Sequence, residues 1–306
     1  MDRQPSSTEN PSLYLKAILV TARPHQWTKN IFVFAPLVFS QNLSQSNLLL
    51  RALVAFIAFS LAATSIYFFN DLKDISRDRA HPVKRLRPIP SGLISSPAAS
   101  IICVISALAS VSLALLTGPS AALVVLAYIT INILYSLKLK HIPYLDVLII
   151  ATGFILRVSF GAICVFVAIS SWILVNTLLL SLFLGFGKRY HEMVVYGNEA
   201  LKQRPALAHY HKGALKLILN ALFVTIPIVF VLYTFSADAQ ARGFSSLSLS
   251  TPLILFCLFR FMAHAGNKKE KSSPTELILR DVPFVSGTLL WVVSVILIIY
   301  SDIKLF

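Results

Sequence analysis

Charged side chains are scarce in this sequence: only 13% of its 306 residues are Asp, Glu, Lys or Arg. A soluble domain of this length needs far more charge to cover its surface, so the soluble class is excluded. Apolar residues take the place of charge, at 56% of the chain and a mean hydropathy of +0.74. The composition therefore indicates an integral membrane protein.

Cysteine and long polar stretches are also scarce. The chain has three cysteines, each in an apolar run without metal-ligand spacing: Cys103, Cys164 and Cys257. The longest polar stretches, 70–96 and 186–213, span only about 30 residues each, too few for a soluble domain. Because the first dozen residues are polar, they lack the layout of a cleavable signal. We expect residues 1–15 to be a mobile N-terminus and residues 16–306 to form one transmembrane domain.

Nine apolar runs approach the roughly 20 residues that a spanning helix needs. They lie near 28–44, 49–69, 97–117, 120–136, 143–166, 172–187, 214–235, 250–265 and 283–301. Gly118-Pro119 and Ser170-Ser171 separate neighbouring runs by tight turns. The pattern predicts an all-α, polytopic bundle of nine transmembrane helices with short cytoplasmic active-site loops.

The basic residues are distributed unevenly along this pattern. Of the 27, 23 lie in the N-terminal segment and in the loops after even-numbered helices, and only Arg51, Arg242 and Lys304 lie on the other side. Since Lys and Arg accumulate on the cytoplasmic side, we expect a cytoplasmic N-terminus and active site in the plasma membrane, with the C-terminus outside. The net charge of +14 therefore reflects topology and does not indicate nucleic acid.

The loop after the second run carries more charge than orientation requires. Asp71, Asp74 and Asp78 are spaced i, i+3, i+7, which places them on one helix face. Stacked carboxylates repel unless a cation lies between them, and hard oxygen ligands beside a phosphate substrate favour Mg²⁺. The bases that could clamp those phosphates are Arg79, Lys84, Arg85 and Arg87. The alternatives are a solvated helix end and bases held at anionic lipid headgroups.

Two further helix ends carry polar clusters. Tyr135 and Lys138 end the fourth run and, alone, are typical of interface anchors. Lys188, Arg189 and Glu192 end the sixth run and could face the aspartates. The pair His209 and His211 is interpreted as a solvated loop because its spacing is not that of a zinc site.

Arg157 stands deep in an apolar run, where a charge is costly and indicates a functional role. Asp146 lies eleven residues earlier, which is too far for a direct contact along one helix. Before the first run, Lys29, Gln26 and Asn30 could hold a lipid-borne phosphate at headgroup depth. The alternative is a simple anchor around the neighbouring tryptophan.

Several motifs resemble the UbiA-type superfamily of intramembrane prenyltransferases. They lie in 23–30, 70–89, 135–140, 153–157 and 187–192, so the resemblance covers nearly the whole chain. Within that superfamily, the runs His81 to Ile89 and Gly187 to Tyr190 resemble the branch of decaprenyl-phosphate phosphoribosyltransferases. The resemblance implies a Mg²⁺-dependent transfer of a 5-phosphoribosyl group from phosphoribosyl diphosphate to a polyprenyl phosphate, for cell-envelope glycan (arabinose donor) synthesis.

The second Asp-rich motif of the superfamily is missing here, because Lys188, Arg189 and a single Glu192 take its place. A donor with an additional 5-phosphate would need those extra cations. The resemblance and the residues together predict three groups of side chains. Mg²⁺ and the diphosphate would be held by Asp71, Asp74 and Asp78, with Asn70 and Glu192. The 5-phosphate would be bound by Lys188, Arg189 and Lys138. The lipid phosphate would be bound by Lys29 and Arg157, unless Arg157 binds the diphosphate instead.

Two other functions remain open at this level. A prenyltransferase using an isoprenoid diphosphate and an aromatic or lipid acceptor would share the fold and the first motif, although the missing second motif counts against it. A transporter would need polar groups along a path near the membrane midplane, where Arg157 is the exception to a cytoplasmic clustering. An apolar bundle of this kind could also self-associate.

Overall fold

A computed structural model describes residues 11–197, 205–270 and 272–301. Within these ranges the regular structure is entirely helical, which confirms the all-α prediction. Residues 1–10, most of the expected mobile N-terminus, lie outside the described residues, while residues 11–15 are part of a helix.

The α-helices of the described chain are α1 (Pro11–Ala22), α2 (Ala35–Phe39), α3 (Ser46–Lys73), α4 (Ile75–Arg79), α5 (Ser96–Leu115), α6 (Pro119–Leu137), α7 (Leu145–Cys164), α8 (Ser171–Tyr196), α9 (Lys212–Thr234), α10 (Ala237–Ala241), α11 (Thr251–Ala265), α12 (Pro274–Leu277) and α13 (Val282–Tyr300). Short 3₁₀ segments are Pro24–Phe34, Lys84–Leu86, Leu139–His141, Pro205–His209 and Ser245–Ser250. In the described ranges, eight helical stretches are long and apolar enough to cross a membrane, and the chain is a multi-pass membrane protein.

The first of the nine predicted runs differs from the other eight. Instead of one long α-helix, it forms the 3₁₀ segment Pro24–Phe34 followed by the short helix α2. Side chains in a 3₁₀ helix repeat every three residues, and the buried Asn30 and Val33 share that spacing. A Cβ atom added to Gly161 would lie 2.0 Å from the Val33 carbonyl oxygen, so the segment packs directly on a glycine.

By internal packing the chain divides into two compact units. The first comprises Met1–Leu37, Asn42–Leu137 and Leu156–Ala168, and the second Val38–Gln41, Lys138–Ile155 and Ile169–Phe306. The expectation of one domain from residue 16 onward stays a prediction.

The core of the first unit is built on small residues of α3 and on stacked rings. Ala55, Ala58 and Ala62 of α3 are buried, which lets neighbouring helices approach closely. The Phe59 ring lies 4.5 Å from that of Tyr128 and 5.5 Å from that of Phe160, measured between centroids. The rings of Phe59 and Tyr128 also lie against Arg157, whose site is described below.

The second unit has its core around α8. Phe183 packs on Phe261 with ring centroids 5.1 Å apart. A Cβ atom at Gly185 would lie 2.6 Å from Val147, and one at Gly187 would lie 2.3 Å from Phe261. The two glycines therefore let α8 pack against its neighbours and fix the position of the polar residues that follow.

Candidate functional site

Two buried aspartates lie where α3 passes into α4. Only Asp74 separates these helices, and the N–H of Asp78 donates to the Asp74 carbonyl at 2.8 Å, so helical spacing nearly continues across the junction. Asp71 and Asp78 are each 3% exposed, whereas Asp74 is half-buried. Because buried carboxylates need a cationic or hydrogen-bonding partner, the partners of this pair define the site.

Arg87 bridges the two aspartates. Its Nη1 donates to Asp78 Oδ2 at 2.8 Å and to Asp71 Oδ1 at 3.3 Å. Arg23 adds a second guanidinium, with Nη2 only 2.6 Å from Asp71 Oδ1. The carboxylates are thus covered by two cations that stay partly exposed, at 35% for Arg87 and 27% for Arg23.

Arg23 reaches Asp71 from an unusual backbone conformation. Its φ and ψ are 53° and 59°, the left-handed region that non-glycine residues rarely adopt. The guanidinium also lies over the Tyr67 ring, 5.2 Å from its centroid. Side chains of α3 therefore hold Arg23 on both sides, which rationalises the strained turn between α1 and the 3₁₀ segment.

The loop after α4 is shaped by its own side chains. His81 Nδ1 accepts from the backbone N–H groups of Val83 and Lys84 at 3.2 and 3.3 Å. Arg79 Nε donates to the Pro90 carbonyl at 3.1 Å. These bonds order the chain that carries Arg87. Of the other predicted phosphate ligands, Lys84 is half-buried and Arg85 is exposed.

The end of α6 is joined to the end of α3. Ser136 Oγ donates to Asn70 Oδ1, and Lys73 Nζ donates to the Ser136 carbonyl. Tyr135 is half-buried beside them. Asn70 is one residue before Asp71, so Ser136 of α6 helps to fix the acidic end of α3.

Arg157 lies in a closed polar site within the first unit and is 6% exposed. Its Nε donates to Asn30 Oδ1 at 2.8 Å, and its Nη2 donates to the Tyr128 hydroxyl at 3.2 Å. The guanidinium lies 5.0 Å from the ring centroids of both Phe59 and Tyr128. Asn30 Nδ2 donates in turn to Ser60 Oγ at 2.9 Å, so the site is built from four helical segments: the first 3₁₀ segment, α3, α6 and α7.

Lys29, the residue before Asn30, is exposed, and its Nζ donates to Gln26 Oε1 at 2.5 Å. The 3₁₀ segment therefore presents Asn30 inward and Lys29 outward. This arrangement is compatible with the predicted role of Lys29 at headgroup depth.

A second polar network lies in the second unit, around the 1% exposed Arg189. Arg189 Nε donates to Asp146 Oδ2 at 2.8 Å, and Nη1 donates to Glu192 Oε2 at 2.7 Å. The Tyr210 hydroxyl donates to the other Asp146 oxygen at 2.5 Å and accepts from the Tyr144 N–H at 2.6 Å. Four side chains thus form a continuous chain from the buried Tyr210 to the partly exposed Glu192.

Two features complete this network. Burial, together with the hydrogen bond to Asp146, raises the pKa of Tyr210, so its hydroxyl remains a donor at neutral pH. The predicted phosphate ligands nearby in sequence differ in exposure: Lys188 is half-buried in α8, and Lys138 is exposed at the start of a short 3₁₀ turn.

Asp71 and Asp78 offer carboxylate oxygens, which are the ligands that a hard divalent cation prefers. Among the described residues, no three His, Cys, Asp or Glu side chains are grouped as a metal cage. Mg²⁺ does not require one, because it usually binds through one or two carboxylates plus substrate phosphates and waters. One nitrogen of Arg87 already contacts Asp71 and Asp78, so their oxygens converge on a single cation. The pair fits Mg²⁺ that brings its own phosphate ligand; Asp74 as a third ligand stays a prediction.

This architecture is that of a multi-pass membrane protein with a buried acidic helix end in contact with arginine side chains. The model of the UbiA prenyltransferase family matches residues 31–278, and the chain belongs to this family. The predicted family resemblance is therefore confirmed.

Individual proteins extend the comparison over nearly the whole chain. Decaprenyl-phosphate phosphoribosyltransferase of Mycolicibacterium smegmatis is 32% identical over 243 residues, covering 78% of this chain and 76% of that protein. The enzyme of the same name from Mycobacterium tuberculosis (strain H37Rv) is 27% identical over 292 residues, covering 94% and 96%. A UbiA homolog from Archaeoglobus fulgidus, solved bound to DMAPP and Mg²⁺, superposes with a TM-score of 0.67 at 20% identity, over 93% of this chain and 99% of that one.

Sequence reasoning did not identify Arg23 and Tyr210 as parts of these networks. Arg23 contacts Asp71 from 48 residues away, and Tyr210 contacts Asp146 from 64 residues away. The feature of the sequence that could have identified Tyr210 is its position between two histidines in a polar loop. His209 and His211 are exposed as expected, but Tyr210 between them is 3% exposed.

Proposed function

We propose that this protein transfers the 5-phosphoribosyl group of phosphoribosyl diphosphate to a polyprenyl phosphate and releases diphosphate. The bond between ribosyl C1 and the diphosphate oxygen breaks, and a bond from C1 to an oxygen of the lipid phosphate forms. The observation that carries the proposal is the convergence of Asp71 and Asp78 on one partly exposed guanidinium, that of Arg87. Such a surface binds a divalent metal and a diphosphate at the same place.

The relatives support this donor and acceptor. Those from M. smegmatis and M. tuberculosis are named decaprenyl-phosphate phosphoribosyltransferases and align over most of the chain. In addition, Lys188 and Arg189 stand where the superfamily usually has a second Asp-rich motif. Bases at that position favour a donor that carries one phosphate group more than an isoprenoid diphosphate does.

In the proposed reaction, Asp71 and Asp78 would hold Mg²⁺, with Asp74 beside them. When bound, Mg²⁺ neutralises charge that develops on the leaving diphosphate. Arg87, with Arg79, Lys84 and Arg85, would bind the diphosphate oxygens. Since a phosphate is already anionic at neutral pH, the lipid acceptor needs no strong general base.

The remaining predicted ligands would divide between the two other anionic groups. Lys188 and Lys138 would bind the 5-phosphate, while Lys29 and Arg157 would bind the lipid phosphate. For Arg189 the contacts favour a different role, because Asp146 and Glu192 already hold its guanidinium. We propose that Arg189 positions Glu192 and the adjacent Lys188.

The reaction would occur at the cytoplasmic face of the plasma membrane. The distribution of Lys and Arg supports this placement, with the N-terminus inside and the C-terminus outside. The soluble donor would then reach the site from the cytoplasm, and the acceptor would keep its polyprenyl tail in the bilayer. The product would serve as a precursor for cell-envelope glycan synthesis.

The test uses the purified full chain with labelled phosphoribosyl diphosphate, polyprenyl phosphate and Mg²⁺. We expect a labelled lipid and equimolar diphosphate, and no turnover after chelation of the metal. Failure to form the labelled lipid, with an isoprenoid diphosphate accepted as donor instead, would overturn the proposal in favour of prenyl transfer.

Single variants test the acidic pair in the same assay. Asp71→Asn and Asp78→Asn should each lower kcat/KM by about 10²-fold or more, because a charge that faces the reacting phosphates is lost. Asp238→Asn is the matched control, since Asp238 pairs with Arg242 at an exposed position and belongs to neither network. Full activity in Asp78→Asn would refute the metal assignment.

A further inference from the structure

Two arginines contact the carboxylate oxygens of the acidic pair. Arg87 contacts both Asp71 and Asp78, and Arg23 makes the shortest contact to Asp71, at 2.6 Å. The aspartates are about 3% exposed and the arginines 27% and 35%, so the guanidiniums cover the carboxylates from the solvent side. A divalent cation that binds Asp71 Oδ1 or Asp78 Oδ2 would compete with these guanidiniums for the same oxygens.

We propose that Arg23 and Arg87 exchange partners during binding, from the carboxylates to the diphosphate, so that the metal binds tightly only together with the diphosphate. This inference rests on the proposed function, because it requires a diphosphate donor. It also assigns to Arg23 a role in substrate binding that its place in the sequence does not indicate.

The charges of the site give the physical reason. Metal alone would have to break the contacts of two guanidiniums with buried carboxylates and would leave those cations close to a dication. Diphosphate removes both penalties, because its oxygens are strong acceptors for the released guanidiniums and it ligates the metal. Metal and diphosphate must then raise each other's affinity by the same factor, as linkage requires.

The geometry of Arg23 is suited to such an exchange. Its left-handed backbone directs the guanidinium to Asp71 across the Tyr67 ring, which supports the side chain at 5.2 Å. A cation resting on a ring can pivot toward an anion without losing that support. Arg87 belongs to a loop ordered by His81, so its displacement leaves the backbone of the loop in place.

The experiment measures metal binding by the full chain in detergent, without substrates. Mn²⁺ replaces Mg²⁺, and the free Mn²⁺ is counted by electron paramagnetic resonance. The wild type should bind weakly, whereas the double variant Arg23→Gln/Arg87→Gln should bind about tenfold more tightly or better, because two competing cations are gone. Arg23→Gln alone, which keeps the Arg87 bridge, should give a smaller gain and serves if the double variant does not fold.

Arg77→Gln is the matched control. Arg77 is an exposed residue of α4 next to Asp78, and its substitution removes one positive charge while keeping Arg23 and Arg87. An unchanged or weaker Mn²⁺ affinity in the variants, or an equal gain in Arg77→Gln, would overturn the exchange.

A second measurement follows the coupling itself. Mg²⁺ and inorganic diphosphate together should raise the thermal midpoint of the wild type by more than the sum of their separate effects, and this excess should shrink in the double variant. An additive response in the wild type contradicts the proposal. Because neither readout requires turnover, a chain that shows the coupling but transfers no phosphoribosyl group would refute only the proposed function.

Discussion

At the scale of single residues, the hydroxyl group of the buried Tyr210 is a hydrogen-bond donor in the polar network of the second unit. It donates to Asp146 Oδ1 at 2.5 Å, while Arg189 holds the other oxygen of that carboxylate. Tyr210→Phe removes one hydrogen-bond donor from the buried Asp146 carboxylate. Because hydrogen bonds to charged groups contribute roughly 1.5–3 kcal/mol, the free energy of unfolding should fall by that amount. We expect a lower thermal midpoint and a kcat/KM for phosphoribosyl diphosphate reduced about tenfold, because Arg189 and Glu192 lose their fixed position.

Tyr144→Phe provides the control for that prediction. The Tyr144 ring packs tilted against that of Tyr210, with centroids 4.6 Å apart, and Tyr144 contributes its backbone N–H to the network. Removal of its hydroxyl should therefore leave the network intact. Equal losses in the two variants would show that the effect does not depend on the Asp146 hydrogen bond in particular.

A second prediction at this scale concerns Asn30, which is completely buried and whose Oδ1 accepts a hydrogen bond from Arg157 Nε. Asn30→Ala should lower the affinity for polyprenyl phosphate about tenfold or more, since an Arg157 that has lost this acceptor is no longer held in place. The measurement is KM for the lipid acceptor, compared with KM for the donor.

Ser60→Ala is the companion variant, because Ser60 contacts Asn30 but not through the atom that binds Arg157. It should retain most of the acceptor affinity. If Asn30→Ala raised the KM of the donor and left that of the acceptor unchanged, Arg157 would instead belong with the diphosphate.

At the scale of elements, the contact between α7 and the 3₁₀ segment depends on one missing side chain. A Cβ atom at Gly161 would lie 2.0 Å from the Val33 carbonyl oxygen, a backbone atom that cannot move alone. Gly161→Ala should therefore displace the segment and lower the yield of folded protein, as measured by size-exclusion chromatography and the thermal midpoint. Gly213→Ala, where the added atom has no neighbour within 4 Å, should have no such effect.

The link between α11 and α13 gives a pH-dependent prediction. Arg260 donates to both oxygens of Asp281, at 2.5 and 3.0 Å, and Asp281 also caps α13 by accepting from the Phe284 N–H. The hydrogen bond from Arg260 lowers the pKa of Asp281 in the folded chain. The stabilisation is therefore complete above the unfolded pKa of about 3.9 and is lost as the pH falls through the lower folded value.

Asp281→Asn keeps a capping oxygen but removes the charge. We expect the free energy of unfolding to fall by roughly 1.5–3 kcal/mol at neutral pH. The difference in stability between variant and wild type should narrow below about pH 4. Thermal midpoints across this pH range measure it. His264 Nε2 lies 3.5 Å from the same carboxylate, so His264→Gln should be measured in parallel. A difference that is constant with pH would contradict the assignment.

The elements show where the sequence is informative and where it is not. Eight of the nine apolar runs form spanning helices, because about 20 apolar residues in lipid must satisfy their backbone groups within the segment. The first run forms a 3₁₀ segment whose contacts no local pattern reveals, because Asn30 bonds to Arg157, 127 positions away, and Val33 packs on Gly161. Asp71 and Asp78 were predicted from their spacing; Arg23 and Tyr210 were not, because their partners come from distant helices.

At the scale of the whole molecule, the distribution of Lys and Arg predicts which loops face the cytoplasm. Ser91, in the loop after α4, and Ser120, in the first turn of α6, are both exposed and lie on opposite predicted sides. In intact cells, a membrane-impermeant maleimide should label Ser120→Cys, and should label Ser91→Cys only after permeabilisation. The parent chain, with its three native cysteines, gives the background. The reverse pattern would invert the proposed orientation.

The bond between Asn30 and Arg157 joins residues that are 127 positions apart. At synthesis rates of about 5–20 residues per second, Asn30 leaves the ribosome roughly 6–25 s before Arg157. During that interval the side-chain oxygen of Asn30 lacks the hydrogen bond that Arg157 donates to it. Gly161, on which Val33 packs, has not yet been synthesised either. The segment that precedes most of the bundle in the chain is therefore among the last parts of the first unit to acquire its final shape.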